Sequence, residues 1–417
     1  MRPQDASTED WPAGAVLWHV YPLGFVGAER SAVDHVTHRL GHVERYLEHV
    51  AALAADTLLL GPVFASATHG YDTLDYYRID PRLGDLDDFR SLMRACASLG
   101  LRVVLDGVFN HVGRDHEIVR RALEAGPGTQ DGDWIKWSGE HPYLFEGHEI
   151  LVELNLLNPD VQAYVVDVMG YWLDQGIAGW RLDAAYAAGG ETWAPIVAAI
   201  RQSHPEVWLL AEVTQGDYLS FARASGVDTV TQYELWKSMW SSFNARNLYE
   251  LGWAIERHAD FCEAYRPQTF LGNHDVTRIA SLLKDPAHLP MALALLMLLP
   301  GTPSIYSGDE FGMTGVKVSG VGGDDALRPA FPPRWSDLGA SETVELYRSM
   351  IALRRAHPWV ADAKVTVPYA TDTGLLVQIE DAGHRLVVGL NIGDEEASLP
   401  WDVPVLKVPA RSWILQE

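Results

Sequence analysis

A (β/α)8 barrel followed by a small antiparallel β domain is the α/β architecture this sequence predicts. Three observations carry the prediction. Eight short, apolar, β-rich runs alternate with longer segments that are amphipathic at helical spacing. Ionisable residues cluster just past the ends of several of those runs. After Pro358 the helical spacing stops and strand-like alternation replaces it.

Strands are expected at 16–21, 57–63, 102–109, 177–183, 207–213, 228–232, 268–272 and 303–306. The first helix, 42–54, is read from Val43, Tyr46, Leu47, Val50 and Leu53; the second, 86–99, puts Phe89, Leu92, Met93 and Cys96 on one face. Further helices are expected at 161–175, 192–203, 248–264, 288–299 and 344–357. Helices with a single apolar face argue for a parallel sheet that they cover. Eight such units suit a closed barrel better than an open sheet. A doubly wound sheet wants a glycine-rich phosphate loop after its first strand, and Tyr21-Pro22-Leu23-Gly24-Phe25 is not one.

The catalytic unit is expected to occupy residues 1–358, with the barrel starting near residue 14. That is longer than the ~250 residues typical of the fold. The excess falls in two connections, 111–160 after the third strand and 308–340 after the eighth. Long connections in compact domains are usually functional. Alternating runs at 364–369, 374–380, 385–391, 396–401 and 405–417 read as a C-terminal β domain, 359–417.

Composition narrows the partners. The 417 residues hold 56 acidic and 32 basic side chains, a formal charge of −24. Such a chain repels phosphate backbones and anionic membranes, so neither nucleic acid nor a membrane is expected as a partner. A small neutral or cationic substrate is the natural one. The first ten residues show no apolar core and no cleavage pattern, and the longest apolar run, 291–300, is too short to span a bilayer. Cys96 and Cys262 read as two buried reduced thiols. A cytoplasmic enzyme is expected. The oligomeric state is left open.

The chemistry sits at the strand ends. In Gly179-Trp180-Arg181-Leu182-Asp183-Ala184-Ala185, Arg181 and Asp183 fall two apart, on one face of an otherwise apolar strand. Asp106, Asn110 and His111 end the third strand, Glu212 the fifth, and Asn273, His274 and Asp275 the seventh. In a barrel, these ends face one pocket. Clustered carboxylates serve either metal-assisted hydrolysis or glycoside cleavage. No His-x-His or His-Glu-x-x-His spacing occurs, and Arg181 would repel a divalent ion. Tyr21, Tyr71, Phe109, Trp134, Trp137, Tyr143 and Tyr186 offer rings on which sugar faces can stack. Glycoside chemistry therefore leads.

Four stretches resemble the signature regions of the α-amylase family of glycoside hydrolases. They are Asp106-Gly107-Val108-Phe109-Asn110-His111, Gly179 to Asp183, Glu212, and Phe270-Leu271-Gly272-Asn273-His274-Asp275. His69 to Tyr77, Glu153-Leu154-Asn155 and Ser307-Gly308-Asp309-Glu310 resemble further stretches of that family. The chain is similar to the cyclomaltodextrinase and neopullulanase branch, without room for its N-terminal β domain.

The resemblance implies Asp183 as nucleophile, kept ionised by Arg181. It implies Glu212 as general acid and then base; Leu209-Leu210-Ala211 before it reads as an apolar setting that keeps it protonated. It implies Asp275 as the residue that binds and distorts the sugar ring. His111, His274 and Tyr71 would surround that sugar. Asp324 and Arg328 have the spacing of a further substrate-binding pair, with Asp325 as the other candidate partner. Asp106 is read as either catalytic or a brace for Arg181.

Departures from the family pattern matter as much. Tyr186 and Ala187 replace the Lys-His of starch-degrading members, and the third-strand connection is short. No metal and no cofactor are therefore expected. Ala184 resembles α-1,4-acting members. Trp134 and Trp137 read as loop anchors or as sugar platforms, Trp236 and Trp240 as core, and His19, His35, His38, His42 and His49 as outside the site. The function expected is hydrolysis of short α-1,4-glucans through a covalent glycosyl-enzyme. The alternatives are an α-glucosyl transferase using that same intermediate and a non-catalytic carbohydrate-binding relative.

Overall fold

The computed structural model describes residues 11–320, 322–401 and 405–417. Eight strands form the barrel: β1 (Leu17–Val20), β2 (Thr57–Leu60), β3 (Arg102–Gly107), β4 (Gly179–Leu182), β5 (Trp208–Ala211), β6 (Thr229–Val230), β7 (Gln268–Phe270) and β8 (Thr302–Tyr306). Their order is β6-β5-β4-β3-β2-β1-β8-β7, and neighbouring strands pair in parallel. A parallel bridge from Thr231 to Gln268 joins the two ends, closing the sheet into a barrel.

Strand alternation divides the barrel into two faces. Leu17, Leu59, Val104, Trp208 and Leu210, with Ala15, form one apolar cluster inside the barrel. Trp18, Leu58, Leu60, Val103, Leu105, Trp180, Leu182 and Leu209 belong to the larger core beneath the helices. Two residues on from the inner layer, the same parity brings His19, Asp106, Arg181 and Glu212 to the C-terminal end of the lumen. That polar layer rests directly on the apolar one below. Gly179 is required for the approach of β4 to β5, because a Cβ there would meet the Trp208 carbonyl at 2.1 Å.

The covering helices follow the apolar spacing. Leu86–Ser98 starts on Asp85, whose carboxylate accepts the backbone N–H groups of Asp87 and Asp88. Pro159–Asp174 and Gly190–Ser203 flank β4, and Leu248–Cys262 precedes β7. In Leu289–Leu298, every residue from Met291 to Leu298 is buried, so the longest apolar run is an interior helix. Among the described residues no helix is long and apolar enough to cross a membrane.

Some elements differ from expectation. The helix read over 42–54 is two short ones, Leu40–Glu44 and Leu47–Ala52. The turn tightens between them, where the Tyr46 N–H bonds the Val43 carbonyl. His42, Arg45 and Tyr46 there turn to the carbonyls of Pro332 and Pro333. Residues 111–160 are not plain loop. They hold the helix Glu117–Ala125 and pair His111–Gly113 antiparallel with Leu151–Glu153.

After the barrel, β9 (Lys364–Ala370), β10 (Gly374–Asp381) and β11 (His384–Asn391) form an antiparallel sheet. The stretch expected as one strand over 405–417 is two, because Pro409 lacks an N–H and Arg411 turns at φ +50°. With Ala397–Leu399 as β12, Leu406–Val408 is β13 and pairs with β12, while Ser412–Gln416, β14, joins β11. The sheet packs on Leu248–Cys262, where Gly252 lies against Val367, Leu375 and Ala370.

Candidate active site

Parity delivers the central cluster, and the ladder extends it by one rung. Leu182 on β4 pairs with Ala211 on β5. The Asp183 N–H then bonds the Gly107 carbonyl at 3.0 Å, and the Glu212 N–H bonds the Leu182 carbonyl at 3.0 Å. Asp183 and Glu212 therefore stand at one level on neighbouring strands, which lie ~4.8 Å apart.

Arg181 links the carboxylates. Its Nη1 lies 2.7 Å from both oxygens of Asp106 and 3.1 Å from Asp183 Oδ1. Its Nη2 lies 2.6 Å from Glu212 Oε1. All four residues are buried. One guanidinium thus serves three carboxylates, and it cannot neutralise them all. Burial, with the Glu212 charge next, raises the Asp183 carboxyl well above its ordinary range. Arg181 pulls in the other direction but does not prevail. The expectation that Arg181 keeps Asp183 ionised is corrected on this point: its pull is present, but burial and the Glu212 charge outweigh it. Asp106 braces Arg181, and burial raises its carboxyl too, against the pull of that arginine.

The setting of Glu212 also differs from expectation. Leu209 and Ala211 pack beneath the helices, and Glu212 itself meets polar groups. The Ala184 N–H donates to its Oε2 at 3.0 Å, and the Tyr233 hydroxyl donates to its Oε1 at 3.1 Å. Ala184 adopts φ +46°, a left-handed conformation rare for a residue with a Cβ. That turn aims its N–H at the neighbouring carboxylate.

Asp275 occupies a different electrostatic environment. Its Oδ2 lies 3.0 Å from His274 Nε2 and its Oδ1 2.7 Å from Arg328 Nη2. Burial opposes ionisation, but His274 and Arg328 outweigh it and hold the carboxyl well below the usual range. Arg328 also bonds Asp324 at 3.1 Å and the His274 carbonyl at 2.9 Å, and stacks over Tyr21 at 4.6 Å. The alternative partner, Asp325, pairs with Arg30 instead.

Aromatic groups complete the walls. The Tyr71 hydroxyl bonds Asp106 at 3.0 Å and also meets His274 Nε2. Tyr71, His274 and Tyr21 are parallel to within 5°. His111 stacks on Phe145 at 4.3 Å; burial pushes its imidazole down to about 3, so the ring is neutral. Its Nε2 has no partner within the protein. Tyr186 donates to Glu146 at 2.7 Å.

Together these residues line an open cleft of about 1240 Å³. Tyr71, His111, Asp183, Glu212, Asp275, Asp324 and Arg328 face it, while Arg181 and His274 lie one layer behind. Trp134 and Trp137 do not line it. Trp137 donates to the Gly132 carbonyl at 2.8 Å, and Trp134 packs on Tyr164 and under Arg121, so both anchor the inserted segment. Trp236 and Trp240 are half-buried on the helix Tyr233–Ala245.

Sequence reasoning missed Tyr233 and placed His19 outside the site. His19 is buried edge-on to His274 at 5.0 Å, and its position two residues after Leu17 on the inner face was the available signal. Tyr233 had none, as it sits in the first turn of a helix whose other residues read as packing.

The third-strand connection does not build a calcium cage. Glu153 is engaged by Lys136 at 2.7 Å, Asn110 offers one amide oxygen, and Ala187 has no donor side chain. Calcium wants six to eight oxygens, more than these side chains supply. Among the described residues, the group with ligand atoms close enough to hold an ion is His38, Asp85 and Asp88, and Asp85 and Asp88 already form the helix cap.

Comparison with known proteins agrees with this geometry. The model described as "Alpha amylase, catalytic domain" matches residues 20–142 and 128–330. A cyclomaltodextrinase of Geobacillus thermopakistaniensis is 28% identical over 94% of the chain and 67% of its own length. Neopullulanase 2 of Thermoactinomyces vulgaris is 28% identical over 84% and 64%. The chain thus spans about two thirds of the length of these relatives. The ligand-free cyclic α-maltosyl-(1→6)-maltose hydrolase of Arthrobacter globiformis superposes with a TM-score of 0.84 at 25% identity, over 98% of both chains. With the barrel, the strand-end cluster and these matches in agreement, the chain belongs to the α-amylase family of glycoside hydrolases.

Proposed function

We propose that this chain is a retaining α-glycosidase that hydrolyses short α-1,4-linked glucans, linear or cyclic. One observation carries the proposal: Asp183 and Glu212 stand level on adjacent strands and share Arg181. Adjacent strands suit the ~5–5.5 Å carboxyl separation of a double displacement, and leave too little room for the water that inversion places between the two groups.

Asp183 would attack the anomeric carbon while Glu212 gives its proton to the departing glycosidic oxygen. Glu212 would then take a proton from the water that cleaves the glycosyl ester, restoring both side chains. The chemistry needs one proton on the pair. Burial and the neighbouring carboxylate raise Asp183, which favours a proton held between the two. Substrate contact with Asp183 and the leaving oxygen would settle the proton on Glu212.

Asp275, ionised by its partners, would bind hydroxyls of the same sugar, with Asp324 and Arg328 beside it. His111 lines the cleft wall beside that position, and Tyr71 offers its ring. One relative is named a cyclomaltodextrinase and one structural neighbour a cyclic α-maltosyl-(1→6)-maltose hydrolase, which supports this substrate class. No metal enters any step, and the surface charge of −24 fits a neutral sugar substrate.

The test is the stereochemistry and time course of products from maltotriose, cyclodextrins, cyclic α-maltosyl-(1→6)-maltose, pullulan and sucrose. Proton NMR should show the α-anomer first. A β-anomer first would overturn the double displacement. Growth of oligosaccharides longer than the substrate would replace hydrolysis by glucosyl transfer.

A further inference from the structure

Arg328 is the cation that holds Asp275, yet it sits in a long connection with little regular structure. Between β8 and the helix Glu342–Ala356 the described residues form only three short 3-10 turns, Asp309–Phe311, Asp325–Leu327 and Trp335–Leu338. Backbone of this kind has few hydrogen bonds of its own to fix it. Something else must set where Arg328 stands.

The fixing point is the carbonyl of the preceding residue, Leu327, which is fully buried. It accepts two hydrogen bonds, from Arg278 Nη2 at 2.8 Å and from the Tyr306 hydroxyl at 2.9 Å. Arg278 is itself fully buried. Its Nη1 donates to the Ser307 carbonyl at 3.0 Å and to Asp309 at 2.7 Å, and its guanidinium lies 4.4 Å over the Tyr306 ring. Its own N–H bonds the Gly315 carbonyl at 3.0 Å. One side chain therefore ties the segment after β7 to the end of β8 and to the connection beyond it. None of Arg278, Tyr306 and Asp309 lines the cleft. On the far side, Gly24 lets the connection after β1 close in, since a Cβ there would meet the Arg328 carbonyl at 2.4 Å.

We propose that Arg278 and Tyr306 are positioning residues that act through the Leu327 carbonyl to hold Arg328 against Asp275. The proposal rests on the functional reading above for the role of Asp275. Its chemical content is narrow: two donors on one carbonyl set the reach of a guanidinium that begins one residue later. Losing one donor lets Arg328 drift, and the ring-binding carboxylate drifts with it.

A double-mutant cycle tests this. Tyr306→Phe, Arg328→Lys and the double variant are measured for kcat and KM on maltotriose or β-cyclodextrin, whichever the wild type turns over faster. Tyr306→Phe keeps the buried ring and removes one hydrogen bond, so KM should rise about 3–10-fold with the melting midpoint little changed. In the Arg328→Lys background the same change should cost less than about 2-fold, because coupled residues are not additive. Arg278→Lys should raise KM in the same direction. Independent, multiplicative effects in the double variant would overturn the proposal, as would an unchanged KM in Tyr306→Phe. A wild type that binds these sugars without cleaving them sinks the functional reading alone; the cycle is then scored on calorimetric Kd.

Discussion

At the scale of the residue, the decisive feature is one arginine shared among three carboxylates. Asp183 and Glu212 differ in what else they touch, and their variants should differ accordingly. Asp183→Asn should abolish turnover of every glycoside, since no intermediate forms. Glu212→Gln should lose about 10²–10⁴ in rate on maltotriose but far less on α-maltosyl fluoride, whose leaving group needs no proton. Steady-state kinetics on both substrates checks this, and equal losses would reverse the assignment of acid and nucleophile. The raised Asp183 carboxyl has a second consequence. The nucleophile works only when ionised, so the acid limb of kcat/KM should lie above the ordinary carboxylate value of ~4. Asp106→Asn removes a charge that raises Asp183 and frees part of Arg181, so the limb should move to lower pH. A pH–rate profile that stays put would contradict the shared-guanidinium account.

At the scale of the element, the inserted segment 111–160 is held by short antiparallel pairings and by a partly buried ion pair. Lys136 and Glu153 form a 2.7 Å pair in which the carboxylate is almost wholly buried. Lys136→Met leaves that carboxylate without its cation, and should destabilise the fold by about 1–3 kcal/mol in urea unfolding. Since the side chains beside Asn110 supply few free oxygens, chelator should change neither the activity nor the melting of the wild type; loss of activity in EDTA would show that a metal is needed. Elements with strong periodicity were legible in the sequence to within one or two residues, as in Leu86–Ser98 and Gly190–Ser203. Those that failed were shaped either by a distant contact or by a local backbone turn. The break at Tyr46 answers to Pro332, nearly three hundred residues away, and the split after β13 answers to a local proline and a left-handed arginine.

At the scale of the molecule, the barrel and the C-terminal sheet share apolar packing. Val365, Leu375, Val377, Ile379, Leu386 and Val388 belong to the same buried cluster as the barrel helices. Cutting the chain near residue 358 would strip that cover from Leu248–Cys262 and Leu289–Leu298. Calorimetry should therefore show one cooperative unfolding transition, and two well-separated transitions would mean that the sheet folds independently of the barrel.

The sequence by itself determined the barrel, the order of its strands along the chain, and the carboxylates that end them. It could do so because alternation along a strand is local: two residues on from a buried inner position is another inner position. Tertiary structure alone decided how the charges are shared. Whether Arg181 serves one carboxylate or three depends on the register between β3, β4 and β5, and no spacing within one strand encodes that. The same holds for Tyr233 on Glu212, for His19 beneath His274, and for Asp324 rather than Asp325 beside Arg328. Each is a contact between segments far apart in the chain, fixed by how the barrel closes.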